Sequence, residues 1–82
     1  MRLDKYLKVS QLIKRRSLAK EAASGNRILL NGKDVKPSSN VIEGDILEVR
    51  YAEKRLKVKV LSTSEYTSKK EANGMYEVIS NE

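Results

Sequence analysis

The stretch "SLAKEAASGNRILLNGKDV", residues 17–35, changes its hydrophobic period part-way along, and that change decides the fold. Up to Gly25, Leu18, Ala19, Ala22 and Ala23 recur at helical spacing and make one apolar stripe. The alanines are small enough to let a neighbouring helix come close. Beyond Gly25, two short extended runs flank Asn31-Gly32, a pair suited to a type I′ turn because both residues tolerate positive φ. The pattern predicts a helix over residues 16–24, a positive-φ Gly25 that ends it, and then a hairpin.

Toward the N-terminus, Leu3, Tyr6, Leu7 and Ser10 follow the i, i+3, i+4, i+7 rule, so residues 3–10 read as a short amphipathic helix. Lys5 and Lys8 point away from its stripe. Asp4 falls in the first turn, where it suits the helix dipole and sits four residues before Lys8. In the second helix Arg16 and Lys20 lie opposite the apolar stripe. Arg15 would face it, which places Arg15 at or before the helix start. Toward the C-terminus, Pro37 and residues 38–40 form a loop, and Gly44-Asp45 turns the chain into an alternating strand at residues 46–51. Residues 55–61 alternate cleanly, with Leu56, Val58 and Val60 inward and Lys57 and Lys59 outward. Residues 62–74 are polar, with one helical turn expected around residues 69–73, and "MYEVI" (75–79) reads as a last strand or tail. The expected fold is α+β: two short N-terminal helices followed by a small antiparallel sheet. Residues 1–61 form the domain, and 62–82 are a polar connection with a C-terminal strand or tail.

Charge supplies the functional signal. The 82 residues carry a net charge of +6, and the first twenty hold seven cations against one acid. The remaining ten cations and ten acids cancel, so the whole excess lies in the first quarter of the chain. Such asymmetry marks a polyanion footprint, nucleic acid before anionic membrane. Arg2, Lys5, Lys8, Arg16 and Lys20 on two adjacent helices would make a cationic plate, with Lys14 and Arg15 in the run between them. Phosphate is its natural partner, because Arg forks two oxygens and Lys acts as a point charge. Four tyrosines are the only aromatic residues, and Tyr6 belongs to the buried stripe. Stacking of bases on aromatic platforms therefore has little to work with, and recognition by shape and phosphate is expected.

There is no His and no Cys, which excludes ordinary zinc sites, disulfides and imidazole- or thiolate-based catalysis. A non-enzymatic protein with no catalytic residue, metal or cofactor is expected. No apolar run is long enough to span a bilayer and the N-terminus lacks a signal-peptide pattern, so the expected location is cytoplasmic.

"RLDKYL" (2–7) followed by "KRRSLAKEAASGNRILLNGKDVKPSSNVIEGDILEV" (14–49) resembles the RNA-binding domain named after protein four of the small ribosomal subunit. In that family two helices and a hairpin build an L-shaped RNA-binding element. The opening Arg-Leu-Asp-Lys, the Ala-Lys segment, the Asn-Gly hairpin and the "V-x-x-GD-x-L-x-V" strand carry the resemblance, which covers residues 1–51. The chain departs from the family at Arg15, where a Ser usually caps the second helix. With "KRRSLAKE" (14–21) and "KKEANGMYEVI" (69–79), it looks more narrowly like the stand-alone RqcP (YabO) family of bacterial ribosome-associated quality control, relatives of the heat-shock protein fifteen group. The resemblance implies binding to a large ribosomal subunit that still holds peptidyl-tRNA after a stalled ribosome has split. The implied partners are large-subunit (23S) rRNA, the P-site tRNA and an RqcH-type factor that extends the nascent chain with alanine. Carried over to this chain, the rRNA and tRNA contacts fall on Arg2, Lys5 and Arg16, with Lys8, Arg15 and Lys20 nearby. The protein is expected to act as a monomer.

Three other readings compete. One is a ribosome factor of the same fold in subunit assembly or heat-shock recycling. Another is a basic module that binds proteins or a membrane surface, which would need a longer exposed apolar stripe than these alanine-rich helices offer. The third is the RNA-binding part of an enzyme such as a pseudouridine synthase, but nothing after residue 62 would form a catalytic domain.

Overall fold

The change of period at Gly25 becomes a change of layer. A computed structural model describes residues 1–25, 27–51, 53–64 and 71–81. Helices α1 (Leu3–Val9) and α2 (Arg16–Ser24) come first. Strands β1 (Ile28–Leu30), β2 (Lys33–Asp34), β3 (Ile46–Tyr51) and β4 (Lys54–Val60) follow, then a 3₁₀ turn at Ala72–Met75 and β5 (Tyr76–Asn81). The strands form one antiparallel sheet in the order β2-β1-β3-β4-β5. At the β1–β2 turn Asn31 has φ 53° and Gly32 φ 81°, the two positive values a type I′ turn requires. Gly44 (φ 91°) turns the chain into β3. In β4, Val58 and Val60 are buried and Leu56 is half-buried, while Lys57 and Lys59 face solvent. The last segment is a strand: it pairs along β4 with a bulge at Lys57/Val58. The helical turn expected at residues 69–73 falls partly outside the described residues, and within them the turn is at Ala72–Met75.

The core lies between the helices and one face of the sheet. Leu3, Tyr6 and Leu7 of α1 meet Ala19 and Ala23 of α2 and Ile28, Leu47, Val49, Val58 and Val60 of the sheet, all with essentially no exposed surface. Leu18 does not join them. It is 48% exposed because α2 meets α1 along the Ala19–Ala23 line, and Leu18 stands a third of a turn to one side of that line.

Gly25 also departs from expectation. Its φ is −93°, so it is not a left-handed terminator. It closes α2 by donating to the Glu21 carbonyl at 2.9 Å, and a Cβ on it would come within 3.1 Å of that oxygen. The left-handed residue is instead Gln11 (φ 65°), after α1. For a residue with a Cβ this conformation costs about 1–2 kcal/mol. Hydrogen bonds offset it: the Gln11 N–H and side-chain amide both donate to the Lys8 carbonyl, and the Ile13 N–H donates to the Leu7 carbonyl.

One long-range bond joins the beginning of the fold to its end. The buried Tyr6 hydroxyl donates to the Met75 carbonyl at 2.7 Å. Burial, with the neighbouring Tyr76, raises the Tyr6 phenol well above its ordinary pKa, so it stays a donor. The Met75 oxygen also accepts from the Leu61 and Ser62 N–H groups at 2.8 and 3.2 Å. Tyr6→Phe therefore strands no buried acceptor, and it should cost about 1 kcal/mol, the net worth of one hydrogen bond. Urea unfolding should show a lower midpoint with an unchanged m-value.

Candidate nucleic-acid interface

The site begins at the N-terminus, which the loop at residues 37–41 holds in place. The Met1 amine donates to Asn40 Oδ1 and to the Val41 carbonyl, and the Val41 N–H donates back to the Met1 carbonyl at 2.7 Å. Arg2, the N-cap of α1, makes no side-chain cap bond; the Leu3 and Asp4 N–H groups donate instead to the Ser39 and Pro37 carbonyls at 2.8 and 3.1 Å. These bonds satisfy donors that a helix start leaves open, and they place Arg2 at the head of α1.

Asp4 does not pair with Lys8. Its carboxylate is fully buried and turned to two guanidinium groups. Arg2 donates to it through Nε at 3.1 Å and Nη2 at 3.2 Å, and Arg16 Nε of α2 stands 3.6 Å from Oδ2. The Lys5 N–H adds a 2.8 Å bond. Burial alone would raise the carboxyl's pKa, but the Arg2 and Lys5 hydrogen bonds and the charges of Arg16 and Arg2 outweigh it. Asp4 is held below its ordinary value of 3.8. Arg2 and Arg16, expected as free outward cations, thus also carry structure: one carboxylate clamps the starts of both helices. Each remains about half-exposed, at 50% and 48%, and keeps donors for an outside anion.

The other cations surround this pair. Lys20 lies exposed one turn beyond Arg16, about 6 Å along α2. Lys5 is half-buried on α1, and Lys8 is exposed near the far end of that helix. Lys14 and Arg15 are exposed in the connection; Arg15 is the N-cap of α2, with extended backbone (φ −123°, ψ 135°) and no side-chain cap bond. The arrangement presents phosphate with two guanidinium groups already oriented by a shared counter-charge, which lowers the ordering cost of binding. Sequence reasoning missed Asp4 as their organiser. The available signal was a lone acid among seven cations, two residues after Arg2. Among the described residues no group of acids could hold a metal ion, and no helix is long and apolar enough to cross a membrane.

Asp4→Asn should lower stability at neutral pH by about 1–3 kcal/mol, the worth of hydrogen bonds to a charged group reduced by the exposure of both arginines. The Asp4 contribution is complete above the unfolded pKa near 4 and is lost as pH falls through the lowered folded value. Stability curves of the two proteins, measured by denaturant unfolding, should therefore converge as pH falls below 4.

The first 47 residues match the S4 domain. The chain is 52% identical over 80 residues to the RQC P-site tRNA stabilizing factor of Streptococcus pneumoniae, covering 98% of this chain and 91% of that one. It is 51% identical to the factor of the same name from Bacillus subtilis, covering 100% and 95%. Heat shock protein 15 of Vibrio cholerae, solved as a trimer, superposes with a TM-score of 0.86 at 29% identity, over 95% of this chain and 80% of that one. With the S4 helices, the paired arginines and this full-length similarity together, the chain belongs to the S4-domain family of RQC P-site tRNA stabilizing factors.

Proposed function

We propose that the protein stabilises the P-site tRNA on large ribosomal subunits left by stalled, split ribosomes, holding it against 23S rRNA while an RqcH-type factor adds alanine to the nascent chain. The observation that carries this reading is the Arg2–Asp4–Arg16 clamp: guanidinium groups from two helices, fixed side by side on the part of the chain that holds all its excess charge. Lys5, Lys8, Lys14, Arg15 and Lys20 extend the phosphate-binding surface around it. The names of the similar factors support the tRNA and quality-control parts of the reading. The protein acts in the cytoplasm as a monomer and without catalysis. Its effect comes from binding free energy alone. A ligand shifts an equilibrium only by its differential affinity for two states, so the protein binds the tRNA-occupied subunit more tightly than the empty one. By linkage, it then slows loss of that tRNA.

Binding to purified large subunits with and without peptidyl-tRNA tests this, together with alanine tailing in cells lacking the protein. Tighter binding to the occupied subunit and reduced tailing are expected. Equal affinity and unimpaired tailing would leave a general RNA-binding factor. With about four to six phosphates neutralised, affinity for RNA should fall with a log–log salt slope of about −3 to −5. Lys20→Gln, outside the Asp4 clamp, should weaken binding while changing stability by less than about 0.5 kcal/mol. Thermal melting beside a binding titration separates the two effects.

A further inference from the structure

A second row of cations crosses the sheet. Arg50 of β3 is directly opposite Arg55 of β4. One step beyond the Ile28–Val49 pair, the Arg50 N–H donates to the Arg27 carbonyl at 2.8 Å, so Arg27 is level with Arg50 on the other side. Ile28, Val49 and Leu56 face the core, so by the two-residue period Arg27, Arg50 and Arg55 project from the opposite face. Neighbouring strands are about 4.8 Å apart, and like charges in register repel. Of these three arginines, Arg50 has an acidic partner among the described residues, Glu48 at 3.2 Å. As in the helices, cations are set side by side, but this time no buried carboxylate lies between them.

On the helix side of the sheet, around the same strand ends, lies a hollow of about 380 Å³ lined by Ile13, Leu18, Ala22 and Val49, with Glu21 in its wall and Arg27 and Arg50 at the edge where the strands end. The half-exposed Leu18 belongs to this hollow. An occupant that suits it has an anionic end for the arginines, and an apolar end with hydrogen-bond donors for Glu21. A nucleotide has this order: phosphate, then a flat base bearing amino groups, with the ribose hydroxyl between. An acidic peptide would meet Glu21 with a like charge.

We propose that Arg27, Arg50 and Arg55 form a second RNA-binding row that takes the phosphates of an unpaired RNA segment, with one base lodged in the hollow of Ile13, Leu18, Ala22 and Val49. The proposal rests on the RNA-binding reading above but uses a different surface. Unpaired segments are required because a base inside a duplex cannot leave its stack without a cost of a few kcal/mol.

The test compares the unsubstituted protein with Arg27→Gln/Arg55→Gln and with Leu18→Glu. The probes are an RNA hairpin with an unpaired loop and a blunt duplex of the same stem, each titrated across a salt series. The unsubstituted protein should prefer the hairpin. The double glutamine variant should lose that preference, with a log–log salt slope shallower by about 1.5, as two lost phosphate contacts imply. Its melting temperature should hold or rise, because like-charge repulsion is relieved. Leu18→Glu should lose the preference while keeping most of the slope. Hairpin binding by the double variant with unchanged slope and preference would overturn this proposal alone. Absence of RNA binding by the unsubstituted protein would overturn both readings. Displacement of the hairpin by an equal concentration of a glutamate-rich peptide containing phenylalanine would overturn it in favour of protein docking.

Discussion

One buried carboxylate makes the rest of this surface permissible. Without Asp4, the starts of α1 and α2 would bring two guanidinium groups together at the head of a small core, and their repulsion would push the helices apart. With it, the same two charges that make up the proposed RNA surface also hold the helices together. Each arginine spends one side on Asp4 and keeps the other for solvent or phosphate. Structure and recognition cannot be separated at these two positions. At Lys20 and Lys8, which stand free of the clamp, they can.

The sheet serves a different purpose. The loop at residues 37–41 brings three carbonyls and one amide under the N-terminus, so the Leu3 and Asp4 N–H groups at the start of α1 are met by backbone carbonyls. A side-chain cap can be lost by one substitution; this one depends on the path of a loop. The position of Arg2 is therefore decided forty residues downstream.

Features that depend on near neighbours were legible in the sequence. The bounds of α2, the Asn31-Gly32 turn and the alternation of β4 follow from periods of 3.6 and 2 and from turn chemistry, while residues 75–79 stay open between a strand and a tail until the pairing with β4 decides it. Features decided by which element lies opposite were not. Leu18 carries the right spacing for the stripe, yet the close contact of the alanines with α1 leaves it half outside. Gly25 looked like a left-handed terminator, but it is needed for its close approach to the Glu21 carbonyl, while Gln11 takes the strained conformation. Asp4 suited the helix dipole, and only the tertiary placement of α2 reveals Arg16 as its partner. The cations of the candidate site were legible as a cluster; which of them also bear structural load was not.

The Tyr6–Met75 bond spans 69 residues, and this has a consequence for synthesis. As the chain is synthesised, the two cation-bearing helices are made first. The carbonyl that receives the Tyr6 hydroxyl is added 69 residues later, directly before the strand β5 that extends the sheet. Until then the phenol has no partner in the site it will occupy, and α1 lacks its final seat. The cation-bearing helices are thus made before the carbonyl and the strand that complete their packing.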